Sequence, residues 1–186
     1  MAGVIRILGI DPGSGATGWG VVEAEGMRLS YLAAGVIRPK RALARAARLA
    51  AIHEGLAALI ADWTPQEAAV EETFVNASPR DALVLGEARG VALLAPALAG
   101  IAVAEYAANT IKKSVVGRGH AEKHQVAAMV RVLLPTSGDQ PADAADALAV
   151  AICHAHHRGP VAFSGKVEAG FPQENATNRK LIRRSA

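Results

Sequence analysis

The alternation of apolar and polar positions divides the chain into two stretches of different period. The first is extended. "VIRILGI" is a short β-rich run that ends at Asp11 and the Pro-Gly that follows it. "ATGWGVVEAEG" and "MRLSYLAAGVIR" read as a second and a third strand, and their close spacing predicts antiparallel neighbours joined by tight turns. The period then becomes helical. Residues 42–63, "ALARAARLAAIHEGLAALIADW", place apolar residues at helical spacing up to Pro65. "EAAVEETF" predicts a fourth strand and "IAVAEYA" a fifth. Between them, residues 79–100 predict a helix with a tolerated first-turn proline, Pro79, and a stop at Gly100. "AEKHQVAAMVRVLL" predicts a further helix closed by Pro135, followed by a "PTSGDQ" loop. "PADAADALAVAICHAHH" predicts the last helix, with Pro141 near its first position. Three strands followed by alternating helices and strands imply an α/β fold, a mixed five-stranded sheet with helices on both faces.

Composition narrows this picture in a few places. A chain of 186 residues suits one domain with a real core. Hydrophobic residues reach 51% while aromatics are only 4%, which fits alanine-rich helices packed closely on a sheet. From Gly159 the sequence turns polar and loses periodicity, so one folded domain over 1–158 and a flexible basic tail over 159–186 are expected. No apolar run has membrane-spanning length without an interruption, and no signal segment opens the chain, so a soluble cytoplasmic protein is expected. The lone Cys153 excludes an intramolecular disulfide and a cysteine metal site. Net charge is only +3, yet Lys112, Lys113, Arg118 and Lys123 cluster, and Arg179, Lys180, Arg183 and Arg184 close the chain. Local basic patches are compatible with nucleic acid without requiring it.

Four carboxylates stand out against their surroundings. Asp11 ends the first strand, Glu71 lies at the end of "AAVEE", and Asp143 and Asp146 lie three apart in the last helix, on one face. Each has an ordinary reading. Asp11 suits a turn, Glu71 or Glu72 an exposed strand end, and Asp143 a first helical turn. Asp146 is harder to dismiss inside an alanine-leucine segment. If the four converge, their repulsion calls for hard divalent cations with oxygen ligands. Two such ions can activate water and stabilise a leaving oxygen in phosphodiester cleavage. His154, His156 and His157 read as surface or helix-end residues, His154 being too far along the helix from Asp143 to join it.

"GIDPGSGATGWGVV", "VEETFVNASPRDALVLGEARGVAL", "YAANTIKKSVVGRGHAEKHQVAAMV" and "ADAADALAVAICHAH" together closely resemble the RuvC family of Holliday-junction resolvases, in family order over residues 5–157. The resemblance implies an RNase H-like fold and a homodimer. It also implies symmetric nicking of two strands of a four-way DNA junction, in recombination and DNA repair, with Mg²⁺ or in its place Mn²⁺, two ions per site. It implies a branch-migration complex of the RuvA-RuvB type as partner. By position it assigns the acidic tetrad to Asp11, Glu71, Asp143 and Asp146. It assigns the lysines of a strand-loop segment and of the AEK motif to Lys112 and Lys123, with Lys113 and Arg118 as further DNA contacts. Phe74 matches an aromatic that the family places against junction bases. His120 and Arg118 depart from the common pattern, as does "NASPRDA" after Phe74, so the cleavage-sequence preference does not transfer.

Three other functions share parts of this pattern. Sugar kinases and actin-like ATPases begin with a similar Gly-Ile-Asp-x-Gly turn, but they need a second lobe, for which this chain is too short. A non-catalytic junction-binding module would have no need of an intact tetrad. An RNase H-like nuclease for ribosomal RNA precursor would lack the lysine loop and the DAADALA helix. On this reading the glycines after Asp11 serve a sharp hairpin turn, and no nucleotide is needed.

Overall fold

The computed structural model describes residues 3–72 and 78–158. Phe74 and the expected tail from residue 159 lie outside the described residues. The five expected strands are β1 (Ile5–Asp11), β2 (Thr17–Glu25), β3 (Arg28–Ile37), β4 (Glu67–Glu72) and β5 (Ala102–Ala107). They form one sheet in the order β3-β2-β1-β4-β5. β1 runs antiparallel to β2, and β2 to β3, while β1/β4 and β4/β5 are parallel. The helices are α1 (Arg45–Trp63), α2 (Pro79–Leu98), α3 (Ala108–Val116), α4 (Lys123–Leu133) and α5 (Ala142–His157).

Pleating sends alternate side chains of the central strands into two separate cores. Leu8, Ile10, Val21, Ala68 and Val70 pack with Ile52 and Leu56 of α1 and with Ala88, Ala92 and Ala95 of α2. Ile7, Val22 and Ala69 pack on the other face with α3, α4 and α5. α5 is buried along nearly its whole length, from Ala144 to His154, which is why its sequence is apolar all round rather than striped. It lies directly on β1 and β2. A Cβ at Gly9 would come 2.2 Å from the carbonyl oxygen of Ala147, and one at Gly18 would come 1.9 Å from that of Asp143. Only glycine lets the helix backbone sit this close.

Two expectations need correction. Lys112 lies on a helix, α3, which starts as soon as β5 ends, and not on a strand and loop. Ile111 and Val115 of α3 are buried beneath α5, so tertiary burial, more than the short polar sequence, secures this helix. The loop after Leu134 contains a turn of 3₁₀-helix over Pro135–Ser137. Boundaries differ by small amounts. α1 starts at Arg45, α2 ends at Leu98, and α4 starts at Lys123, where the side chains of Glu122 and Gln125 cap each other's backbone. No helix among the described residues is long and apolar enough to cross a membrane.

Candidate active site

The same pleat that builds the cores places the carboxylates. Asp11 has the parity of Ile7 and Gly9, so it faces α5 at the end of β1. Glu71 has the parity of Ala69 and faces the same way, whereas Glu72 follows Val70 towards the opposite layer. β1 and β4 are parallel neighbours, so both carboxylates emerge at the same edge of the sheet. α5 enters across that edge. Asp143 in its first turn and Asp146 one turn on complete the group.

Asp11, Glu71 and Asp146 line one cavity of about 170 Å³ together with Lys112 and Lys123, which extend from α3 and the start of α4. Lys123 Nζ donates to Asp146 Oδ2 at 3.2 Å. Asp143 is not among the lining residues. Its Oδ2 accepts from Arg38 Nη2 at 3.3 Å. Among the described residues, no three His, Cys, Asp or Glu side chains are already drawn close enough to enclose an ion. Two of the four carboxylates are held by these cations instead.

The electrostatics are those of concentrated negative charge. The carboxyl of Asp11 is pushed from its ordinary 3.8 up to about 7, first by burial and then by Glu71, Asp146 and Asp143, with Lys123 opposing. Glu71 is raised by burial and by Asp146, against Lys123 and Lys112. Lys123 is raised chiefly by Asp146. The donor set is all oxygen and strongly anionic, which fits a hard divalent cation and not a soft one.

The other expected residues fall elsewhere. Lys113 and His120 line a separate and larger cavity of about 610 Å³ together with Ser114 and His157, and Arg118 sits exposed in the turn after α3. His154 is not a surface residue. It is buried, its Nε2 lies 2.8 Å from Glu67 Oε2, and its Nδ1 lies 2.9 Å from the Tyr106 hydroxyl. Arg158 donates twice to the Glu67 carboxylate, at 3.1 Å each. This network ties α5 to the start of β4, the end opposite Glu71, and so stands apart from the carboxylate cluster. Burial holds the His154 imidazole below its usual pKa despite Glu67.

Two arginines that no sequence pattern singles out touch the site. Arg38 follows β3 and reaches Asp143 across 105 residues of chain. Arg48 of α1 donates to the carbonyl oxygen of Ser14 and pins the turn that follows Asp11. Neither lies in a motif. For Arg48 the one available signal is arginine in an otherwise alanine-rich helix, which ordinarily reads as a solvated position, and for Arg38 there is none.

A mixed sheet with parallel carboxylate-bearing strands, crossed by an acidic helix, defines an RNase H-like fold class. The family description "Crossover junction endodeoxyribonuclease RuvC" matches residues 7–154. The chain is 59% identical to the RuvC of Bradyrhizobium diazoefficiens over 165 residues, covering 89% of this chain and 94% of that one. It is 61% identical to the RuvC of Methylocella silvestris over 165 residues, with the same coverage of 89% and 94%. Among solved structures, T. thermophilus RuvC in complex with Holliday junction substrate superposes with a TM-score of 0.75 at 33% identity, covering 81% of this chain and 93% of that one. The chain belongs to the RuvC family of crossover junction endodeoxyribonucleases.

Proposed function

We propose that this protein resolves four-way DNA junctions by metal-dependent nicking, with Asp11, Glu71, Asp143 and Asp146 holding two Mg²⁺ ions. The observation that carries this reading is the convergence of Asp11, Glu71 and Asp146 with Lys112 and Lys123 on one cavity at the strand ends, where burial and the neighbouring carboxylates also raise the carboxyl of Asp11. A fold does not maintain such repulsion for stability, and cations relieve it. When bound, the ions supply an activated water and charge neutralisation at the leaving oxygen.

The chain's own residues divide the remaining work. Asp11 and Glu71, fixed on adjacent parallel strands, would hold the ions at the sheet edge, where the scissile phosphate would be neutralised and placed. Asp143 and Asp146 present oxygens from α5 on the facing side. Lys112 and Lys123 line the same cavity, where an ammonium offsets charge that builds on the phosphate oxygens in the transition state. Among the described residues, the cavity lining has no Ser, Cys or His to form a covalent intermediate. Water therefore attacks phosphorus, leaving 5′-phosphate and 3′-hydroxyl ends. Lys113 and Arg118, outside the cavity lining, extend the DNA contact, and the family resemblance alone assigns Phe74 to the junction bases.

A homodimer suits the two-fold symmetry of a junction. Leu83, Leu94 and Leu98 of α2 are exposed large apolar residues, beside the half-covered edge strand β5, which supports this face as the interface. A branch-migration complex is the expected supplier of the substrate.

The test uses a synthetic four-way junction beside a linear duplex of the same sequence, each with Mg²⁺ or EDTA. Paired nicks only in the junction, and only with Mg²⁺, are expected. Asp11→Asn, Glu71→Gln, Asp143→Asn and Asp146→Asn should each abolish nicking and retain junction binding, whereas Glu72→Gln should retain binding and lose much less nicking than Glu71→Gln. Near-normal nicking by any of the four would remove that residue from the site.

A further inference from the structure

Two of the four carboxylates in the cluster already have a cation, and the two cations are placed differently. Lys123 lines the cavity itself, beside Asp146. Arg38 does not line it. It approaches Asp143 from outside, from the end of edge strand β3, with its side chain 59% exposed against 38% for Asp143. Pro39 next to it is buried, so the backbone at this point is anchored while the guanidinium projects into solvent. The pair is a single 3.3 Å contact and not a two-pronged one, and an exposed contact of this kind is easily exchanged.

Arg38 holds only Oδ2 of Asp143, so a divalent cation on this carboxylate leaves room for the contact but weakens it. A guanidinium beside a metal-held carboxylate faces a like charge a few ångströms away. A freed guanidinium has a better partner, because its planar fork matches the oxygens of a phosphodiester. The geometry points to Arg38 as an exchangeable counter-ion of Asp143, released by the metal and taken up by a phosphate of the bound DNA, so that metal loading and DNA binding reinforce each other. This rests on the metal-site reading above. It adds a positioning residue outside the tetrad and the two lysines.

The test begins with Mn²⁺ alone, titrated into the protein and followed by electron paramagnetic resonance. Arg38→Gln should bind Mn²⁺ about two- to fivefold more tightly than wild type, the range that loss of one exposed ion pair allows. Arg38→Lys should stay near wild type. Lys40→Gln, an equal loss of charge two residues away, should shift binding less. Junction binding is then read by stopped flow, ahead of any strand cleavage, across a salt series. With Ca²⁺ present, Arg38→Gln should lower the salt slope by about one, and in EDTA it should leave the slope unchanged. Unchanged Mn²⁺ affinity in Arg38→Gln, or an equal shift in Lys40→Gln, would overturn the counter-ion role. A slope lowered equally in EDTA and Ca²⁺ would overturn the exchange and leave Arg38 an ordinary phosphate contact. If wild type takes up no Mn²⁺, or Asp143→Asn takes it up as wild type does, the metal-site reading itself fails.

Discussion

Replacing Asp11 with asparagine should stabilise the metal-free protein at alkaline pH while destroying its activity. The carboxyl is raised from 3.8 to about 7, mainly by burial and by the charges of Glu71 and Asp146. An acid whose folded pKa lies above its unfolded value holds its proton in the native state after the unfolded chain has lost it. Stability from this group is therefore complete below about pH 4 and is lost as pH rises through about 7. Each pH unit of displacement is worth about 1.4 kcal/mol, which sets an upper bound of about 4 kcal/mol at pH 8. Glu71 is displaced for the same reasons, so part of the relief on removing Asp11 passes to it. We expect Asp11→Asn to be more stable than wild type by about 2–4 kcal/mol at pH 8 in EDTA, or about 10 °C in Tm. The difference should vanish near pH 4. Mg²⁺ should stabilise wild type at pH 8 and the variant much less. Chemical denaturation between pH 4 and 8, with EDTA or Mg²⁺, measures all of this. Parallel pH profiles for the two proteins in EDTA, or a less stable Asp11→Asn at pH 8, would refute the claim that the cluster is held together against its own charge.

Four further outcomes follow from particular contacts. Lys112→Ala and Lys123→Ala should lose single-turnover nicking rate at saturating junction, by about 10²-fold or more if each stabilises transition-state charge, with little change in binding. Gly9→Ala should cost about 1–3 kcal/mol by denaturant titration and depress nicking more than binding, because the new methyl must push α5, and with it Asp143 and Asp146, off the sheet. Glu67→Ala should cost about 1–3 kcal/mol by leaving Arg158 and His154 without their acceptor, yet keep turnover at a permissive temperature, since it lies at the far end of β4 from Glu71. Leu94→Glu with Leu98→Glu should give a monomer by sedimentation at micromolar concentration if α2 forms the dimer face, and an unchanged mass would move the interface elsewhere.

Strand and helix existence were legible because each central segment has a clean period and a proline, glycine or acidic break at its end. The family motif chose Glu71 over Glu72; pleating by itself says only that one of two neighbours can face α5, and the burial of Ala69 in that layer, which the structure shows, agrees with Glu71. The family resemblance supplied the tetrad, because its motifs are contiguous strings. Tertiary structure decided what depends on distant partners. The segment after Tyr106 gives little helical signal, and it becomes α3 because α5 covers Ile111 and Val115. His154 ends an alanine-rich helix and could have faced solvent. It is buried because Glu67 and Tyr106 arrive from strands 87 and 48 residues away. Arg38 stands before a proline with nothing local to mark it, and only the sheet order, with β3 at the edge next to β2, carries it to Asp143. Local pattern is a matter of steric and hydrophobic periodicity along one stretch of chain, whereas a charge partner is chosen by what the finished fold brings within a few ångströms.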